Sequence, residues 1–291
     1  MDFLRTLLFL PGNNPGMLQN GGVFGADAVI LDLEDAVSPE EKDAARHLVK
    51  SALHNVNYRK SKTLVRINPL NCGGKDDIAA VVPESPDAIL LPKAETAGEI
   101  CQAVSLIEQT EYTGQRPVRI IPLLETPLGI IQAYTIATAH PRVWALSFGA
   151  EDYTAALGAV RTPEGNEIFQ ARTLVIAAAA AAGIDAIDTP FTDAQDEDGL
   201  LKDTRLARDL GFRGKLTINP RQVDSIHQVF TPDEADIYWA RRVLHAINEA
   251  RTQGTGVIAL DGKMIDAPIV LRAERILMLA GCLNARQENE K

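Results

Sequence analysis

The stretch Ala145–Tyr153, "ALSFGAEDY", decides how this chain is read. An apolar run that begins at Val143 and Trp144 ends in Ser147, Phe148, Gly149 and Ala150, and two adjacent carboxylates follow, Glu151 and Asp152. A strand opening onto small residues and then paired acids has two possible ends. One is a solvated loop, the commoner fate of a Glu-Asp pair. The other is delivery of a metal ligand into a pocket.

Working outward, the same kind of run recurs along the first 220 residues, separated each time by helix-like sequence. In order the runs are "TLLFLPG" (6–12), "AVILDLED" (28–35), "TLVRINP" (63–69), "AILLPKAE" (88–95), "RIIPLLET" (119–126), "VWALSFGAED" (143–152), "AIDTPF" (186–191) and "KLTINP" (215–220). Strands alternating with helices argue for a parallel sheet covered by helices. Eight such units in 291 residues predict an α/β fold, a single closed (β/α)8 TIM barrel, with a doubly wound open sheet as the runner-up. "RTLVIAAAAAAG" (172–183) reads as the clearest helix, stopped by Gly183. Ser38-Pro39-Glu40-Glu41 reads as a capping box opening the next helix, and Thr231-Pro232-Asp233-Glu234 repeats the pattern. Beyond the eighth strand, "GVIALDGKMIDAPIV" (256–270) reads as a hairpin around Asp261-Gly262 followed by a last helix. The expected division is a barrel over 1–230 and a C-terminal hairpin–helix extension over 231–291, placed at a subunit interface or over the active site.

Composition narrows the function. The chain is 46% hydrophobic and 23% charged, with 39 acids against 29 bases and a net charge of −10. A surface so acidic disfavours nucleic-acid and anionic-membrane partners, while leaving room for a small anionic substrate held by a local arginine. No run is long enough to cross a bilayer. The apolar start leads into Pro-Gly-Asn-Asn-Pro rather than a small-residue cleavage site, which argues against a signal peptide. Cys72, Cys101 and Cys282 are odd in number and widely spaced, so they read as structural or incidental thiols suited to a reducing cytoplasm.

In a barrel of this type, chemistry belongs to the C-terminal strand ends and the loops that follow them. Those ends are polar here: Asn13 and Asn14, Glu34 and Asp35, Arg66 and Asn68, Lys93 and Glu95, Glu125, Glu151 and Asp152, Thr189, and Asn219. Any one of them alone reads as ordinary turn polarity. Arg66 and Glu125, however, follow apolar neighbours and should point inward, where a charge must be paired or bound to metal. Carboxylates without a nearby Cys or His cluster suggest a hard cation such as Mg²⁺, with Glu125 and Asp152 as the best pair. Gly149 and Ala150 would leave room and expose backbone N–H groups to the ligand. Arg66 would grip a substrate carboxylate or stabilise developing oxygen charge. Lys93 reads as an electrostatic contact for phosphate or carboxylate rather than a Schiff-base former.

Other chemistries have less support. There is no Gly-x-Ser-x-Gly elbow, no Walker loop and no strand–GxGxxG–helix unit. The five histidines lie in helical or connecting sequence, and none ends a strand.

"LFLPGNNPGML", "DAVILDLEDAVSPEEKDAAR", "VRINPL", "LLETPLGI", "FGAEDY", "GKLTINPRQV" and "GKMIDAPIVLRA" together resemble the citrate lyase β-subunit family, the citryl-CoA lyases, almost end to end. The resemblance implies a (β/α)8 barrel and a Mg²⁺-dependent carbon–carbon lyase acting on acyl-CoA or acyl-carrier thioesters. It also implies a homo-oligomer, a trimer or a dimer of trimers, that works with citrate lyase α and γ (acyl-carrier) subunits or alone. Carried over, Glu125 and Asp152 are metal ligands, and Arg66 contacts substrate oxygens. From their place at the strand ends, Lys93, Gly149, Ala150 and Glu151 are expected to line the substrate beside Arg66. Asp35 joins Arg66 in the catalytic set, and Glu34 with Asp35 supports metal-bound waters. Asp266 resembles an acid that malyl- and citramalyl-CoA enzymes contribute from a neighbouring subunit. The expected reaction is a retro-Claisen cleavage of a citryl thioester to oxaloacetate and an acetyl thioester.

Three rivals remain. Citramalyl-CoA and malyl-CoA lyases share these motifs. A 2-oxo-acid aldolase of the same superfamily would show "GEHAP" where this chain has "LEDAV", so its catalytic histidine is replaced by Asp35. A non-catalytic subunit of a lyase complex is opposed by the intact Arg66, Glu125 and Asp152 set.

Overall fold

The eight apolar runs form eight parallel strands that pair in chain order and close, β8 returning to β1. The computed structural model describes residues 3–252 and 258–288. The first half runs β1 (Thr6–Pro11), α1 (Pro15–Asn20), β2 (Ala28–Asp32), α2 (Lys42–Asn55), β3 (Lys62–Arg66), α3 (Lys75–Val81), β4 (Ala88–Leu91) and α4 (Ala97–Thr110). Next come β5 (Arg119–Leu124), α5 (Pro127–Ile131), α6 (Ala133–Ala137), β6 (Ala145–Phe148), α7 (Ala150–Leu157) and α8 (Asn166–Ala182). The barrel ends with β7 (Asp185–Asp188), α9 (Glu197–Leu210), β8 (Gly214–Thr217) and α10 (Gln222–Phe230). The predicted (β/α)8 architecture therefore holds, and the open-sheet runner-up does not.

Side-chain alternation divides each strand between two cores. Leu7, Ala28, Ile30, Leu64, Leu90, Ile121, Leu123, Ala145, Ile187 and Leu216 pack together inside the barrel. Their chain neighbours Leu8, Val29, Leu31, Val65, Ile89, Ile120 and Leu146 pack outward with apolar helix residues such as Val49, Ile100, Val104 and Val175. Continuing the inner rows puts Phe9, Asp32 and Glu34, Arg66, Glu125, Ser147 and Thr189 at the C-terminal mouth. Each strand ends one to four residues before its apolar run does, because these polar residues leave the ladder to build that mouth.

An ionic network seals the outer side of β7 and β8. Arg172 on α8 donates two hydrogen bonds to Asp188, at 2.9 and 2.8 Å. Lys215 Nζ lies 2.6 Å from both Asp188 and Asp203, and Arg172 also reaches Asp203 at 2.8 Å. Arg172, Asp188 and Lys215 are 1, 0 and 0% exposed, yet every charge is paired.

Both expected capping boxes differ from expectation. The helix that begins at Glu234 is capped by Asp233, whose Oδ1 accepts from Asp236 N at 2.7 Å, rather than by Thr231. Ser38 makes no capping bond to the backbone, and Pro39–Glu41 is a 3₁₀ turn ahead of α2. The reason is that Glu41 is engaged elsewhere, accepting from Asn13 Nδ2 at 2.7 Å and from Ser38 Oγ at 3.3 Å. The reciprocal capping box forms at Thr96 and Glu99 instead. Gly183 ends α8 in the left-handed conformation, as predicted.

The chain divides into two compact units, one over Phe3–His227 and one beginning at Gln228. The second holds α11 (Glu234–Thr252), β9 (Ile258–Leu260), β10 (Lys263–Ile265) and α12 (Ala267–Glu288). Ala240, Val243, Ile247, Ile265, Val270 and Ala273 form its core. The antiparallel β9–β10 pair turns at Asp261 and Gly262, with φ of 52° and 75°, so both turn residues are left-handed as a tight hairpin requires. The predicted start of this hairpin at residues 256–257 and the Cys282 side chain lie outside the described residues. Cys72 and Cys101 are free and exposed, so neither packs a core.

Candidate active site

A cavity of about 440 Å³ opens at the C-terminal mouth of the barrel. Phe9, Leu123 and Leu216 form an apolar floor, while Asp32, Asp35, Arg66, Glu125, Glu151 and Asp152 supply charge. Strand registry brings these together: Asp32 stands beside Arg66 across β2 and β3, and Leu124 beside Phe148 across β5 and β6.

Arg66 is gripped on one edge by Asp32, whose two oxygens accept from Nε and Nη2 at 2.6 Å each. Its Nη1 donates to Asp35 at 3.0 Å and lies 2.9 Å from Glu34. The guanidinium also sits over the Phe9 ring, 4.8 Å from the centroid. A planar fork held by three acids and a ring has one orientation to offer a substrate.

Glu125 is 4% exposed. One oxygen accepts from the Lys93 backbone N–H at 2.9 Å. Burial, reinforced by the negative charges of Glu34 and Asp152, pushes its carboxyl up to about 8. Glu34 is likewise raised, by burial first, with Arg66 and Lys93 opposing. Lys93 Nζ bridges Glu34 at 2.8 Å and Asp152 at 3.2 Å. Counting the ionisable groups joined in this way, five carboxylates (Asp32, Glu34, Asp35, Glu125, Asp152) face two cations (Arg66, Lys93). The mouth is short of positive charge.

A hard divalent ion fits that shortage. Among the described residues no group of three or more His, Cys, Asp or Glu side chains is gathered to hold a metal alone. Mg²⁺, however, takes one or two carboxylates and completes its shell with water and substrate oxygens. Glu125 and Asp152 line one cavity and feel each other's charge. Gly149 makes the space, since a Cβ there would lie 2.8 Å from Glu125 Oε2.

The expectation that Gly149 and Ala150 turn their N–H groups to a ligand is corrected. Gly149 N donates to Leu124 O at 3.0 Å, and Ala150 N to Thr189 Oγ1 at 2.9 Å. Those bonds fasten the start of α7 to the neighbouring strand ends. Glu151 faces the cavity but pairs with Arg161 at 2.9 Å. Asp266 belongs to the second unit, where its side chain receives the Ile269 N–H at the start of α12. Asn14 caps α1, Asn68 bonds Asp77, and Asn219 accepts from Arg221 N, so turn-building accounts for these three. Asp32 was missed, although its place two residues after Ile30 in an inward row was a usable signal.

The family model for "HpcH/HpaI aldolase/citrate lyase" matches residues 5–220. The chain is 46% identical over 280 residues to citrate lyase subunit beta of Leuconostoc mesenteroides subsp. cremoris, covering 95% of this chain and 93% of that one. Among solved structures it resembles the protein CitE of Mycobacterium tuberculosis in complex with magnesium, acetoacetate and coenzyme A. That match has a TM-score of 0.80 and 31% identity, over 95% of this chain and 98% of the other. It also resembles the citrate lyase beta subunit of M. tuberculosis complexed with oxaloacetate and magnesium, with a TM-score of 0.67 and 30% identity, over 78% and 96% of the two chains.

Proposed function

The chain belongs to the HpcH/HpaI aldolase/citrate lyase family, and on that premise we propose that it is a Mg²⁺-dependent carbon–carbon lyase cleaving a citryl thioester to oxaloacetate and an acetyl thioester. The observation that carries the reading is Glu125, a buried carboxylate held at about 8 beside Asp152, in a cavity that also presents Arg66. Such a pair is incomplete without a cation. Glu125 and Asp152 would hold Mg²⁺, which when bound supplies Lewis-acid polarisation of substrate oxygen.

This chain's own residues then do the following. Arg66, fixed by Asp32 and Asp35, offers its guanidinium to a substrate carboxylate or to the oxygen that becomes a keto group. Phe9, Leu123 and Leu216 exclude water beneath the reacting carbons. A base takes the substrate's hydroxyl proton, the electrons of the breaking C–C bond pass to the thioester as an enolate, and a proton returns to its carbon. Asp266, contributed by a neighbouring copy in a homo-oligomer, is our assignment for that proton transfer. The fit of a trimer, of α and γ partner subunits and of a cytoplasmic setting comes from the family reading. Among the described residues no helix is long and apolar enough to cross a membrane.

The test is an assay of purified protein with citryl-, citramalyl- and malyl-CoA, in Mg²⁺ and in EDTA. Citryl-CoA should give the highest kcat/KM, and only with Mg²⁺. Glu125→Ala and Asp152→Ala should each abolish metal-dependent cleavage while the far-UV spectrum stays unchanged. Undiminished turnover in both variants defeats the metal-site assignment, and preference for a smaller acyl group moves the substrate to citramalyl or malyl.

A further inference from the structure

Lys93 is an unusual residue in an unusual conformation. It follows β4 by two positions and adopts φ of 49°, in the left-handed region that side chains other than glycine, asparagine and aspartate seldom enter. That conformation is strained for a residue with a Cβ, so the surroundings must impose it. Two contacts do so. The Lys93 N–H is drawn to Glu125 at 2.9 Å, and the next amide, Ala94 N, donates to Leu123 O at 3.2 Å. The turn thereby fixes the buried oxygen of Glu125 from the backbone, independently of the lysine side chain.

The side chain does something separate. Its stem is partly exposed, and its ammonium lies between Glu34 (2.8 Å) and Asp152 (3.2 Å). Arg66 is set against Asp32, Glu34 and Asp35 rather than against Asp152. Lys93 is the cation that the described residues set against Asp152. Asp152 is also a residue we assign to Mg²⁺, so one carboxylate has two claimants of like charge.

We infer that Lys93 is a positioning residue that holds the site together in its metal-free form: its ammonium neutralises Asp152 and Glu34, then yields Asp152 to the entering ion while keeping Glu34. This rests on the metal reading above and deepens it. Two positive charges within a few ångströms of one carboxylate repel, so the lysine competes with the ion it makes room for. Its presence sets metal affinity below what two carboxylates alone would give, and it keeps the acids from driving the mouth apart before the metal arrives.

The experiment is calorimetric titration of Mg²⁺ into the full chain, with and without oxaloacetate, for wild type, Lys93→Met, Lys93→Arg and Lys93→Gly, beside melting curves in EDTA and in saturating Mg²⁺. Lys93→Met should bind Mg²⁺ at least about tenfold more tightly, the factor a single unit charge is worth at this range. It should melt lower than wild type in EDTA and recover in Mg²⁺. Lys93→Arg, which keeps the charge, should stay close to wild type. Lys93→Gly removes the ammonium while suiting the left-handed backbone, so it should fold and show the same tightening. Unchanged or weaker Mg²⁺ binding in folded Lys93→Met and Lys93→Gly overturns the inference. Absence of Mg²⁺ binding in wild type under both conditions overturns the metal reading itself, and this one with it.

Discussion

The barrel wall carries ionic clusters on both faces, and they are balanced differently. Outside β7 and β8, Arg172 and Lys215 meet Asp188 and Asp203, two cations for two acids. At the mouth, Arg66 and Lys93 face five carboxylates. The outer cluster is buried nearly throughout, whereas the mouth buries Asp32, Glu34, Arg66 and Glu125 and leaves Asp35, Lys93 and Asp152 partly exposed. Both nonetheless hold buried acids, so burial alone does not distinguish them. Charge balance does. On the outer face, burial alone would raise Asp203, but Lys215 and Arg172 hold it down to about 2. At the mouth, burial and neighbouring acids push Glu125 up to about 8. A complete cluster fastens helices to a wall; an incomplete one waits for a partner.

The contrast can be broken by mutation. Lys215→Met should cost the most, about 3–5 kcal/mol, because it leaves a buried acid pair short of one cation. Chemical denaturation should show that loss equally in EDTA and in Mg²⁺. A loss that Mg²⁺ repairs would mean the two faces are not separate.

The second prediction uses pH. Glu125 is raised in the folded chain above its ordinary 4.5, so its contribution to metal-free stability is full below that value and is lost as pH rises through about 8. In EDTA, wild type should therefore lose stability progressively across that window relative to Glu125→Gln. Asp203 carries the opposite sign: its contribution is present above 3.8 and is lost as pH falls through about 2. Parallel pH profiles for wild type and Glu125→Gln would remove Glu125 from the account.

The smallest effect tests local structure. Thr96→Ala breaks a working capping box and should lower stability by about 1 kcal/mol. Ser38→Ala, with no capping bond to lose, should change it by less than about 0.5 kcal/mol.

Much of this was legible beforehand. Periodic apolar runs announce the eight strands, and Arg66, Glu125 and Asp152 stand at their predicted ends because strand ends in a barrel share one face. Their place at strand ends and the inward direction of Arg66 and Glu125 single them out, and the family motifs add the same three residues. What escaped was pairing. Nothing local says that Asp32 holds Arg66, since the two are 34 residues apart and meet only through β2–β3 registry. Asp188 and Lys215 lie inside runs that read as strands, and a charge inside a four-residue buried strand hints at a partner on the helices. The engaged amides of Gly149 and Ala150 were misread because small residues signal space, not free donors.

The two-residue rhythm of β7 has one more consequence. Asp188 looks to the helices and Thr189 to the lumen, so inserting a single amino acid upstream in that strand would exchange their faces. The outer lock would then lose its acid, and the reaction chamber would receive it. Natural variation by insertion is thereby foreclosed within the staves of the barrel and left to the loops, where new specificities can be grafted without disturbing the lock beneath.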